Sequence, residues 1–143
     1  MSSNSKIQTQ DKVEDMQNEI QFLQKFRCVE RKEENQEKKK DYKVYNCDAY
    51  NKVNKDNIAQ VLNDALTVAQ QYNAVVRLFR VVQLDPMHTV SITITRGGLI
   101  TVDIRFPPRI GGYQNVLTVR IEEIGALKIL VDKLVELVQA LGL

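Results

Sequence analysis

The chain contains a single histidine, His88, and no tryptophan. One imidazole and two cysteines, Cys28 and Cys47, cannot complete a zinc site by themselves. The common signatures of catalysis are absent as well: there is no G-x-S-x-G, P-loop, H-E-x-x-H or paired C-x-x-C. Gly97-Gly98 and Gly111-Gly112 suit turns rather than phosphate cradles, because no helix N-terminus follows either pair directly. His88, in Met87-His88-Thr89, reads as a surface-loop residue rather than a catalytic one. A non-enzymatic protein without cofactor or metal is expected. Charge of one sign is also lacking, with 20 Lys and Arg against 18 Asp and Glu. A net charge of +2 neither demands nor excludes nucleic acid, since a binding groove needs only a local patch. No apolar run reaches the length of a membrane span, and MSSNSKIQTQDK has no apolar signal core. The expectation is a cytoplasmic chain, off the membrane, with two reduced thiols.

What is present fits one domain with a tail. Residues 11–41 are densely charged and lack Gly and Pro. Val13, Met16, Ile20 and Leu23 step by three and four, with Phe22 and Phe26 beside them. This spacing predicts a helix from about Asp11 to Arg31. The run Glu30–Asp41 either extends it or forms a solvated linker. Its charges balance, so residues 1–41 are not a polybasic tail. They read as a charged helical arm, partly mobile and dispensable for folding of the domain at 42–143.

Within 42–143, Tyr42–Tyr45 suits a short strand, and Asp56 is a plausible N-cap. Ile58, Val61, Leu62, Ala65, Leu66, Ala69 and Tyr72 then repeat at helical spacing. The period next changes to two. Val76, Leu78, Val82 and Leu84 are expected to point inward, and Asp85–Pro86 ends that strand. Val90, Ile92 and Ile94 alternate with Ser91, Thr93 and Thr95, and Ile100, Val102, Ile104 and Phe106 with Thr101, Asp103 and Arg105. A two-residue Gly97-Gly98 loop would set apolar side chains on opposite faces. A three-residue loop, pairing Ile94 with Val102 and Ile92 with Ile104, keeps them together. Pro107-Pro108 closes this strand, and a last one carries Leu117 and Val119 toward the core. The fold class is α+β: an antiparallel sheet of about four strands, covered on one face by helices.

The C-terminal helix carries Leu127, Leu130, Leu134, Leu137 and Leu141 at alternating spacings of three and four. That is a leucine seam of about two heptads, as in a coiled coil. A second apolar row, Ile124, Val131, Val135 and Val138, lies beside it. One row can cover the sheet while the seam forms a homodimer interface. The alternative is a single helix buried on most sides in its own core.

The sheet's other face is the feature with chemical potential. Arg77 and Phe79 alternate with the inward residues of their strand, and Ser91, Thr93, Thr101 and Arg105 lie on the matching face. Asp103 reads as part of the same solvated face. Arg96, Arg109 and Arg120 fall at strand ends or in loops, with Tyr113 near them. Arg for phosphate, hydroxyls for backbone and aromatics for stacking suit a single strand of nucleic acid. A half-exposed sheet with Thr for β-propensity explains the same residues without a ligand. Tyr42, Tyr45, Tyr50 and Lys52 interleave aromatics with Lys, either as further contacts or as anchors on the core.

A small sheet followed directly by a leucine-seam helix resembles the archaeal single-stranded DNA-binding proteins called ThermoDBP. It is more distantly similar to the Whirly-type and positive-cofactor-four coactivators. The stretch carrying the likeness is Gly97-Gly98-Leu99-Ile100-Thr101-Val102-Asp103-Ile104-Arg105, then Leu117-Thr118-Val119 and Leu127-Lys128-Ile129-Leu130. The resemblance implies a dimer that binds single-stranded DNA or RNA with little sequence preference. The competing expectation is a structural adaptor whose helical seams recruit partner proteins.

Overall fold

The computed structural model describes residues 19–32, 42–84, 87–123 and 125–139. Expectations falling on residues 11–18 and 33–41, on Asp85–Pro86, and on Ile124 and Leu141 lie outside the described residues. The elements in chain order are α1 (helical residues 19–25), β1 (Val29–Lys32), β2 (Lys43–Asp48), α2 (Ile58–Gln71), β3 (Ala74–Gln83), β4 (Thr89–Ile94), β5 (Leu99–Arg105), β6 (Tyr113–Arg120) and α3 (Ala126–Gln139).

All six strands form one sheet in the order β1-β2-β3-β4-β5-β6. The α+β class holds, but the sheet has six strands rather than about four. It is also mixed, because β2 and β3 run parallel while every other neighbouring pair is antiparallel. The cause is α2: a helical crossover returns the chain to the same end of the sheet, so the next strand runs parallel to the last.

The expected helix to Arg31 is shorter than its apolar spacing suggested. Helical residues stop at Lys25, and Arg27 takes a left-handed φ of 48°. Arg27 N–H donates to the Gln24 carbonyl at 3.2 Å and Cys28 N–H to that of Leu23 at 2.9 Å. This is a Schellman closure with Arg where Gly is usual. The chain then enters β1, whose Val29 faces Asn46 and whose Arg31 faces Val44. Phe22 and Phe26 are buried in the common core. Cys28 and Cys47 are joined as a disulfide rather than held as free thiols. The β1–β2 register places them directly opposite, which their separation of 19 residues does not reveal. Residues 19–32 of the expected arm are therefore part of the folded body.

The core lies between one face of the sheet and the three helices. Tyr45, Cys47, Val76, Leu78, Ile92, Ile94, Ile100 and Val102 are buried on the sheet side, with Leu62, Val68, Leu130 and Leu134 from the helices. α2 begins one residue later than expected, with Asn57 rather than Asp56 at the N-cap position. Leu130 and Leu134 are 0% and 2% exposed, and Leu127 and Leu137 pack partly buried on the same core. Leu127, Leu130, Leu134 and Leu137, expected at a dimer interface, thus serve the chain's own core. A dimer would have to use a different surface from the Leu130–Leu134 line. Polar residues Lys128, Asp132 and Glu136 are exposed, as one inward stripe on a surface helix requires.

The β4–β5 hairpin has the expected three-residue loop, Arg96-Gly97-Gly98, but its register is shifted by two. Ile94 pairs with Ile100 and Ile92 with Val102, while Thr95 N–H donates to the Leu99 carbonyl at 2.9 Å. Two residues is one full strand period, so every side chain keeps its face. The shift follows from Gly98, which takes a φ of 83° as the third loop residue. A Cβ there would lie 2.7 Å from Ile121 Cγ2, so the position needs glycine for space as well as conformation.

Candidate functional site

The helices cover one face of the sheet. On the opposite face, side chains of β3 to β6 line a shallow cavity of about 490 Å³. Its residues belong to rows across the strands, which Thr118 and Thr89 extend beyond it. Arg77 pairs with Thr93, which pairs with Thr101, which pairs with Thr118. Ser91 pairs with Asp103 and Asp103 with Asn115 in the next row. Thr89, Arg105 and Tyr113 form a third. Phe79 reaches the same cavity from β3.

Two β-bulges build this arrangement. In β3 the register shifts between Leu78 and Val82, with Arg80 at a φ of 58°. Strict alternation predicts Val81 outward and Val82 inward; Val82 does face the core, paired with buried Val90, but Val81 is buried as well. The bulge leaves Phe79 on the open face while turning Val81 toward α3. It is clamped from β2: Arg80 Nε donates to Asp48 Oδ1 at 3.1 Å and a second guanidinium nitrogen pairs with Oδ2. The hydrogen bond from Arg80 lowers the Asp48 pKa, and burial opposes it only in part. The Arg80 guanidinium also lies 4.8 Å from the centre of the Tyr50 ring. In β6 the register shifts after Leu117, which pairs with Val102, so that Asn115 rather than Val116 pairs with Asp103. Without the extra residue, Tyr113 and Asn115 would share the core face of Leu117 and Val119.

The cavity gathers four of the residues expected to contact nucleic acid: Arg77, Phe79, Arg105 and Tyr113. The Arg105 guanidinium lies 5.8 Å from the Phe79 ring centre and 5.4 Å from that of Tyr113, joining the two aromatics through cation–π contacts. Asp103 is 7% exposed on the cavity floor and accepts a hydrogen bond from Asn115 Nδ2 at 3.1 Å. Asn115 also donates to Thr118 Oγ1 at 3.1 Å. Arg109 is exposed in the loop that links Arg105 to Tyr113 and does not line the cavity. Arg120 is exposed opposite Leu99, near the far end of β6.

The remaining expected contacts lie elsewhere. Tyr45 is buried on the core face, packed edge-on against Tyr72 at 6.3 Å. Burial, then the nearby Glu30 carboxylate, raises its pKa. Tyr45 is thus an anchor and not a contact, because its strand runs parallel to β3 with Tyr45 beside inward Val76. Tyr42 sits beneath Arg96, whose guanidinium is 4.7 Å from its ring centre, and Arg96 also donates to Asn73 at 3.4 Å. Lys52 donates to the Lys25 carbonyl, holding the β2–α2 loop against α1. His88 packs edge-on against Phe106 at 5.2 Å.

Asn115 is the site residue that sequence reasoning missed. The available signal was polar: Tyr113 and Asn115 occupy positions that strict alternation would bury, and that conflict marks a bulge. Among the described residues, no group of three or more His, Cys, Asp and Glu could hold a metal ion. None of the described helices is long and apolar enough to cross a membrane. Comparison of the chain with protein-family models, with curated proteins and with solved structures gives no match.

Proposed function

We propose that the chain binds single-stranded nucleic acid on the open face of its sheet, without enzymatic activity. The observation that carries this reading is the convergence of Arg77, Phe79, Arg105 and Tyr113 in one cavity on the face that the described helices leave uncovered. Bases stack on aromatic rings and on guanidinium planes, and Phe79–Arg105–Tyr113 supplies both in one array. The Thr rows offer hydroxyls to the sugar–phosphate backbone. A flat sheet suits a splayed single strand better than a duplex, whose grooves accept a helix or a narrow ribbon.

The adaptor reading loses its main support, because Leu130 and Leu134 are buried at home. What remains for it among the described residues of the two seam helices is Ile20 on α1 and Ile129 on α3, both exposed.

Fluorescence anisotropy with labelled oligonucleotides of about twenty bases, single-stranded and duplex, at two salt concentrations, tests the proposal. Single strands should bind more tightly. If Arg77 and Arg105 each neutralise one phosphate, affinity should fall by about 1.4 log units per log of salt. No salt-sensitive binding to any oligonucleotide at low ionic strength would falsify the reading.

A further inference from the structure

We propose that the open cavity selects guanine among the bases of a bound single strand, with Asp103 as the reading group. This deepens the single-strand reading above and rests on it. A carboxylate is an unexpected floor for a site that attracts phosphates. It adds a repulsive charge beside Arg77 and Arg105, and its burial is costly unless donors satisfy it. Asp103 is 7% exposed, and Asn115 Nδ2 supplies one donor to its Oδ1. An ionised carboxylate accepts at about four lone-pair positions and donates at none. The floor is therefore built to receive N–H groups from whatever enters.

The bases differ in what they can offer. Guanine has two donors side by side on its Watson–Crick edge, the ring N1–H and the exocyclic N2 amino group. They match the two oxygens of a carboxylate. Adenine and cytosine each set a single amino group beside a ring-nitrogen acceptor, which meets a carboxylate with lone pair against lone pair. Thymine and uracil flank their one N–H with two carbonyls. Guanine also carries an acceptor, O6, next to its donor pair, and the cavity holds Arg105 as a donor for it. Phe79 and Tyr113 supply ring faces for the purine. Donor, acceptor and stacking requirements are met together for guanine and for no other base.

The test compares affinities of the full chain for five labelled strands: a twenty-base oligothymidylate, and the same strand with one central dG, dA, dC or deoxyinosine. The dG strand should bind about tenfold more tightly than the oligothymidylate. Deoxyinosine, which lacks the N2 amino group, should fall between them. Asp103→Asn should bring the ratio of dG to oligothymidylate affinity close to one, since an amide sets a donor against the guanine donors. Should that variant not fold, the dG and deoxyinosine strands on the unaltered chain decide the matter. Equal, salt-sensitive binding of all five strands overturns guanine selection and leaves the single-strand reading intact. A preference for dA or dC overturns it equally. Absence of binding to every strand sinks both.

Discussion

The two faces of this sheet are built from the same strands and do opposite work. On the inner face, Val76, Ile92, Ile94, Ile100 and Val102 are essentially inaccessible and meet three helices. On the outer face, the residues between them are Arg77, Ser91, Thr93, Thr101 and Asp103, and they line a cavity. Alternation sends neighbours to opposite sides, so each strand contributes to stability and to a site at once. The lesson is that the faces separate the two roles: substitutions inside should move the melt, and those outside should move binding.

The largest effect should come from the inner face. Leu130→Ala removes a fully buried side chain and should cost about 2–5 kcal/mol of unfolding free energy, read by chemical denaturation. A loss below about 1 kcal/mol would mean that α3 does not close the core.

The disulfide sharpens the comparison, since it fastens an edge of the sheet and neither cysteine lines the cavity. With its ends 19 positions apart in sequence, the loop-entropy model gives about 3 kcal/mol of stabilisation. Reduction, or Cys28→Ser with Cys47→Ala, should lower the unfolding free energy by about that amount, read as a lower denaturation midpoint. The binding curve of the part that remains folded should be unmoved. An unchanged midpoint under reductant would show that the bond carries no stability.

On the outer face, Phe79→Ala or Tyr113→Ala should each weaken oligonucleotide binding by about 1–3 kcal/mol. Tyr113 is 60% exposed, so its removal should leave the melting temperature nearly constant. Arg77→Ala with Arg105→Ala should both weaken binding and flatten the salt slope. A fall in melting temperature without loss of binding would invert the division of labour between the faces.

The smallest effect concerns the clamp on the β3 bulge. The Asp48 pKa is lowered, chiefly by its hydrogen bond from Arg80. Its contribution to stability is present above the unfolded carboxylate pKa and fades as pH falls through the lower folded value. Asp48→Asn should remove a shallow part of the acid limb in a plot of melting temperature against pH. Identical profiles for the two chains would show that the pair is fully screened.

Much of this division was legible in the sequence. The shift from helical to alternating spacing located α2, β3, β4 and β5, and the alternation itself assigned Arg77, Phe79 and Arg105 to the outer face. Three things were hidden for physical reasons. β1 is the tetrapeptide Val29–Lys32, whose place in the sheet comes from pairing with β2 and from the disulfide, not from an apolar pattern. The parallel pairing of β2 with β3 depends on how α2 returns the chain. The bulges insert one or two residues, turning Val81 inward and Asn115 outward, a scale at which spacing alone cannot choose a face. The leucine seam was visible, but its destination was not. A stripe of leucines packs equally well on a sheet of the same chain or on a second helix, and only the three-dimensional neighbours decide.

The spatial order of the strands, β1 through β6, is also their order along the chain. Each strand therefore finds its partner among the residues that come off the ribosome just before or after it. Searching such a topology asks for short loop closures only, apart from the passage through α2 between β2 and β3. The β3–β6 meander can zip by successive hairpins, and the β1–β2 pair can form independently of it. The parallel seam is then the one long-range step, and the natural place to look for a rate-limiting event in refolding.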